Sequence, residues 1–282
     1  MTDSQKSRRL PVFAALIVDT FQEASARWLF WGLFGLSTLL ILFFLFILKI
    51  DVVAGAVSLL GLQQTTRRVW DMQKLVHVAL SRVSLFLYLW GTVLALFASA
   101  GLVPSILEPG RIGLLLSKPV DRITLLLGRY IGTLLIVSAN VVYLIGSIWI
   151  IVGLKTSLWY PEVLLSIPIT IFVFAVLLCV ITFVGVLFES PSVAVMVSVA
   201  LMFISGVLAQ KDNVVKLLSS ERARNLWTGL YWALPKVWDL GRSMMNLISD
   251  RQAPWVTPAW TSAVFGAVVL AAAIQVFRKR DY

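Results

Sequence analysis

Charged residues in this chain are confined to the intervals between long apolar runs. Stretches without a single Asp, Glu, Lys or Arg occupy positions 29–48, 83–107, 130–154, 163–188, 191–209 and 258–277. A bilayer core of about 30 Å is crossed by about 20 apolar residues in a helix, where every backbone group bonds internally. Each run meets that length, so the pattern predicts six transmembrane helices in one all-α integral membrane domain spanning 1–282. The first run follows the basic residues Lys6, Arg8 and Arg9 and precedes the cleavage-site mimic Ala54-Gly55-Ala56. It is longer than a signal-peptide core and follows Asp19 and Glu23, so it is read as an uncleaved span.

The segments between the runs have their own periodicity. After Pro11, suited to a first helical turn, Phe13, Ile17, Phe21, Ala24 and Trp28 recur at helical spacing, with Asp19, Gln22, Glu23 and Arg27 elsewhere on the wheel. That stripe fits a helix lying along the membrane surface or one on the protein's own surface. Val69, Met72, Val76, Leu80 and Val83 form a second stripe, with Arg67, Arg68, Lys74 and Arg82 on the basic face and the only histidine, His77, on the polar side. Between the last two runs, Trp227, Tyr231, Trp232 and Trp238 gather around Pro235. Val237, Leu240, Met244, Leu247 and Ile248 then form a third stripe. Trp and Tyr favour the head-group level, so this segment is expected on the outer leaflet.

Composition narrows the function classes. With 59% hydrophobic and 13% charged residues, the chain lies far from a soluble enzyme. The net charge of +10 comes from loop and terminal cations, which suits lipid head groups and topology and gives no reason to expect nucleic acid. Lone Cys179 and lone His77 make neither a disulfide framework nor a metal site; Cys179 is read as a small buried hydrophobe and His77 as a surface residue. No cofactor is implied. The main polar groups in the spans are Ser138, Asn140, Tyr143 and Gln275. With no carboxylate or cation there to carry a proton or pair an ion, transport through these helices would draw its energy from outside them. Motifs of intramembrane hydrolysis, H-E-x-x-H and G-x-S-x-G, are absent, as is a span charge that could form a channel ring.

The interval between the second and third runs carries the most specific pattern. Glu108-Pro109-Gly110 leads into Leu115-Leu116-Ser117-Lys118-Pro119-Val120-Asp121-Arg122, then Leu126-Leu127-Gly128-Arg129-Tyr130-Ile131-Gly132. Pro119 ends one short helix and Asp121 can cap the next. The leucines form an apolar knob ringed by Lys118, Arg122 and Arg129, the shape of a docking element for a soluble partner. Gly128 and Gly132, four apart, permit close helix approach.

These residues resemble the permease subunits of type-2 ABC transporters, which carry an acidic residue and glycine, a Leu-Leu-Ser-(Lys/Arg)-Pro-(Val/Leu)-x-Arg run and a Leu-Leu-x-Gly-(Lys/Arg)-x-x-Gly entry into a span. The resemblance implies that two permease subunits, identical or related, form the translocation path and that two ATP-binding-cassette ATPase subunits dock beneath them. It makes 108–129 a cytoplasmic coupling loop with Glu108, Gly110, Pro119, Arg122 and Gly128 as coupling positions. It also places both termini in the cytoplasm, an orientation that Lys/Arg counting alone leaves near balance. The chain holds no G-x-x-x-x-G-K-[ST] phosphate loop, so ATP hydrolysis is expected on a separate chain. Export of an amphiphilic or lipid-like cargo suits charge-free spans; the first outer loop is short beside family members with large outer domains. A membrane scaffold without transport is the rival reading.

Overall fold

A computed structural model describes residues 3–47, 52–53, 56–57, 72–99, 101–102, 121–156, 159–217, 220–249 and 254–279. Among these the helices are α1 (Asp3–Ala26), α2 (Trp28–Ile47), α3 (Met72–Ser99), α4 (Arg122–Thr156), α5 (Ser166–Phe188), α6 (Pro191–Leu208), α7 (Lys211–Leu217), α8 (Glu221–Ala233), α9 (Val237–Ile248) and α10 (Val256–Lys279). A 3-10 turn, Pro161–Leu165, leads into α5, and a two-residue antiparallel contact pairs Val52 with Val57 and Val53 with Ala56.

Five helical stretches are long and apolar enough to cross a membrane: Val78–Ser99, Arg122–Lys155, Pro161–Phe188, Pro191–Leu208 and Val256–Lys279. Among the described residues the count rises to six only if Ala14–Ala26 and Phe30–Phe46, which meet at a 71° bend, are one broken span. The exterior agrees with a membrane setting. Leu39, Phe46, Leu154, Met196 and Phe203 stand more than half exposed along the spans. Several buried hydroxyls turn back onto their own helices: Thr92 donates to Tyr88 O at 2.7 Å, Thr170 to Ser166 O at 2.6 Å and Thr182 to Leu178 O at 2.8 Å. Where water is excluded, a hydroxyl bonded within its helix leaves no orphan donor.

The boundaries move where charge sits near a helix end. The second stripe from Met72 onward and the second span as far as Ser99 are one continuous helix, α3, and α4 begins at Arg122, eight residues before its charge-free run. Helix propensity carries through these cations. His77 lies in α3, but its side chain is outside the described residues.

At the centre is α5, packed against α3, α4, α6 and α10. Leu177, Leu178 and Ile181 are fully buried there. A Cβ at Gly266 would stand 3.6 Å from Val176 Cα, so the glycine brings α10 close to α5. Cys179 is buried as expected, its thiol facing Ala175 O at 3.2 Å.

The third stripe faces the bundle. Val237, Leu240, Met244 and Ile248 are buried, and α9 packs against α3, α5, α6 and α10. Tyr88 of α3 donates to Val237 O at 2.6 Å, and a Cβ at Gly241 would meet the Tyr88 ring at 2.8 Å. Satisfying the Tyr88 hydroxyl inside the bundle requires that α9 enter it.

Candidate functional site

Of the five coupling positions, Glu108, Gly110 and Pro119 lie outside the described residues, as does Lys118. Arg122 and Gly128 are placed, both on α4. Asp121 stands at the N-cap position, where its carbonyl accepts from Leu125 N at 3.0 Å, and Arg122 opens the helix half-buried. Gly128 is buried and faces α1: a Cβ there would stand 2.8 Å from Leu16 Cδ1. One turn on, a Cβ at Gly132 would stand 2.8 Å from Thr20 Cβ. The glycine pair is thus a seat for the N-terminal helix, with Leu16 and Thr20 as the residues that occupy it.

Between the glycines, Arg129 points the same way. Its side chain is 0% exposed, its Nη2 donates to Asp19 Oδ2 at 2.5 Å, and its Nη1 donates to Glu23 Oε2. Glu23 also accepts from Arg27 Nη2 at 2.8 Å through its other oxygen. Among the described residues, these contacts link two acids and two arginines in one network. A fork of donors matches two carboxylates one helical turn apart, a geometry lysine cannot reproduce. The sequence reading set Arg129 beside Lys118 and Arg122 around an exposed knob; the structure turns it inward, because α1 supplies the counter-ions.

The same contacts orient α1. The Leu16, Thr20 and Ala24 edge is buried with Glu23 nearly so, whereas Val18, Phe21 and Trp28 are more than half exposed. Glu23 faces protein, Asp19 is half-exposed, and Phe21 and Trp28 of the apolar stripe face outward.

The junction also holds the near edge of the segment 103–120. Leu102, 3% exposed, clusters with Ala24 and Ile136. A Cβ at Gly101 would collide with the Arg27 guanidinium at 2.1 Å from Nη1, so that glycine makes room for the arginine. On its far side, Gly128 and Arg129 hold α1. One helix, α1, thus touches the chain on both sides of the segment that carries the motif.

At mid-span, Ser37 of α2 donates to Asn140 Oδ1 at 3.1 Å, and Tyr143 OH meets Thr38 Oγ1 at 3.0 Å. Thr38 already donates to Phe34 O at 2.8 Å, so Tyr143 is the donor in the second pair. The Asn140 Nδ2 has no partner. Among the described residues, no group of three or more His, Cys, Asp or Glu is arranged to hold a metal ion.

The α1–α4 network was missed in the sequence. Its one visible signal was Asp19 and Glu23 at i,i+4 spacing, opposite an arginine that immediately precedes a charge-free run. No family model matches the chain, and no curated protein matches it.

Proposed function

We propose that this chain is the membrane-spanning permease subunit of a type-2 ABC transporter, coupling ATP hydrolysis by a separate ATPase to movement of a substrate across the cytoplasmic membrane. The observation that carries the reading is the Glu108–Gly132 motif joined to a helix, α1, that touches the chain on both sides of the segment. A push on the 108–120 segment would be transmitted to α1 and α4 together, because Arg129 is bonded to both Asp19 and Glu23. With both termini cytoplasmic, this junction faces the ATPase, and Glu108, Gly110, Pro119, Arg122 and Gly128 are its coupling positions. The direction proposed is export of an amphiphilic cargo.

A second copy of the chain is supported by the α2–α4 face. Among the described residues, no atom of another element lies within 4 Å of where a Cβ would stand at Gly32, Gly35 or Gly146. The half-exposed Tyr143 hydroxyl and Thr38 lie midway along the same two helices. Small residues and hydroxyls are where spans of another subunit approach, and groups that both donate and accept make such a face self-complementary.

Affinity purification of the chain from its native membranes tests the proposal. A P-loop ATPase should co-purify, and Arg122→Glu or Pro119→Ala should weaken that association or uncouple hydrolysis. Recovery of intact wild-type complexes with no P-loop ATPase would overturn it in favour of a scaffold.

A further inference from the structure

A cluster at the opposite end of the bundle from Arg129 takes no part in the proposed coupling. It is assembled where three junctions meet: Lys211 just beyond α6, the bend between α8 and α9, and Thr261 near the start of α10. The Lys211 Nζ stands 4.3 Å from the centroid of the Tyr231 ring and 5.7 Å from that of Trp232. The Lys236 Nζ stands 4.8 and 4.6 Å from the same two rings. Lys236 is 3% exposed and donates to Thr261 Oγ1 at 2.8 Å. The Tyr231 hydroxyl donates to Asp239 Oδ2 at 2.9 Å.

The charges do not balance. Among the described residues, ion pairs join Arg27 and Arg129 to Glu23 and Asp19 at the other end; neither Lys211 nor Lys236 has a carboxylate at ion-pair distance. Lys236 also immediately precedes α9, whose N-terminus adds partial positive charge. Rings offset part of the cost of a buried ammonium, but a buried cation is ordinarily held by a counter-ion. Asp239, bonded to Tyr231, attracts Lys236 but offsets only one of the two charges, and an anion with several acceptor oxygens suits two ammoniums that approach from separate elements. Tyr and Trp at the membrane surface, with lysines between span ends, suit a phosphate that carries an organic group.

We infer that Lys211 and Lys236 bind a phosphate-bearing anion, with Tyr231 and Trp232 forming the apolar wall for the group attached to it. A phospholipid head group and a soluble phosphoester share this chemistry.

The full chain, reconstituted in nanodiscs of phosphatidylcholine with or without phosphatidylglycerol, is extracted and weighed by native mass spectrometry for retained lipid. In a second arm, inorganic phosphate is titrated calorimetrically into the detergent-solubilised chain. The wild type should retain phosphatidylglycerol in preference to phosphatidylcholine, or bind phosphate saturably. Lys211→Gln or Lys236→Gln should weaken this about tenfold, as loss of one charge-assisted hydrogen bond implies. Lys236→Arg and Lys216→Gln should retain it. Lipid preference identifies a head group; phosphate binding without lipid preference identifies a soluble phosphoester. Equal binding by wild type and both glutamine variants, or none in either arm, overturns the inference. Should Lys236→Gln fail to fold by size exclusion, Lys211→Gln decides, because Lys211 lies outside the α8–α9 bend.

Discussion

Arg129 of α4 and Glu23 of α1, 106 positions apart in the chain, form an ion pair in which the guanidinium is fully buried and the carboxylate 9% exposed. Asp19 completes the fork at 2.5 Å but is 49% exposed. Breaking a buried pair from one side strands the partner charge, at a cost of about 3–5 kcal/mol. Arg129→Ala should therefore lower the melting temperature in detergent sharply, and Arg129→Lys should recover only part of it. Glu23→Gln should be worse than Asp19→Asn, because Glu23 is nearly buried and Asp19 half-exposed. Equal effects of the two acid substitutions would contradict the geometry.

The glycine seat makes a contrast that propensity alone reverses. Alanine favours a helix over glycine by about 1 kcal/mol. At Gly91 a Cβ finds ordinary contact, 3.9 Å from Leu144 Cδ2, so Gly91→Ala should be neutral or stabilising. At Gly132 the new methyl meets Thr20 Cβ at 2.8 Å, an atom that cannot swing away. Gly132→Ala should cost about 1–3 kcal/mol by overpacking, read by thermal unfolding and by increased proteolysis within α1.

Tyr88→Phe tests how α9 is held. It removes the donor to Val237 O at 2.6 Å while keeping the ring over Gly241. Val237 opens α9 and its carbonyl keeps the helix's own bond, so the loss of this one hydrogen bond costs about 0.5–1.5 kcal/mol. Amide hydrogen exchange should rise across 236–248 and stay unchanged in α5. Uniform exchange across the bundle would mean that the hydroxyl does not anchor the hairpin.

Lys236 provides a pH dependence. Burial holds its ammonium below the ordinary value of 10.5, Lys211 lowers it further, and Asp239 pulls it upward. The unfolded chain then binds this proton more tightly than the folded one, so stability rises with pH. The gain falls between the lowered folded value and 10.5. In phosphate-free detergent buffer the wild type should gain on Lys236→Gln as pH climbs through that window. A difference that stays flat from neutral pH to 10.5 would rule this out.

The spans were legible because the criterion is local: a charge-free stretch of sufficient length meets the bilayer's demand wherever it folds. The helical stripes were legible for the same reason, since periodicity is written in consecutive residues. Which way a stripe faces was not. The α1 stripe fits either a membrane surface or the protein's own, and periodicity does not say that Ala24 packs inward while Phe21 and Trp28 stand exposed. The motif was visible by its residue order, but Glu108, Gly110 and Pro119 acquire no geometry from it.

Sequence by itself determined the all-helical, membrane-spanning architecture and the confinement of charge to span ends and the segments between them. Tertiary structure decided the partnerships. Arg129 belongs to α1 because Asp19 and Glu23 arrive there one turn apart, and α9 lies within the bundle because Tyr88 needs an acceptor. Lys211 and Lys236 meet at one pair of rings only because three separate junctions converge. Hydrophobic length is a property of a segment, whereas charge compensation is a property of pairs. Pairs distant in the chain are set by packing.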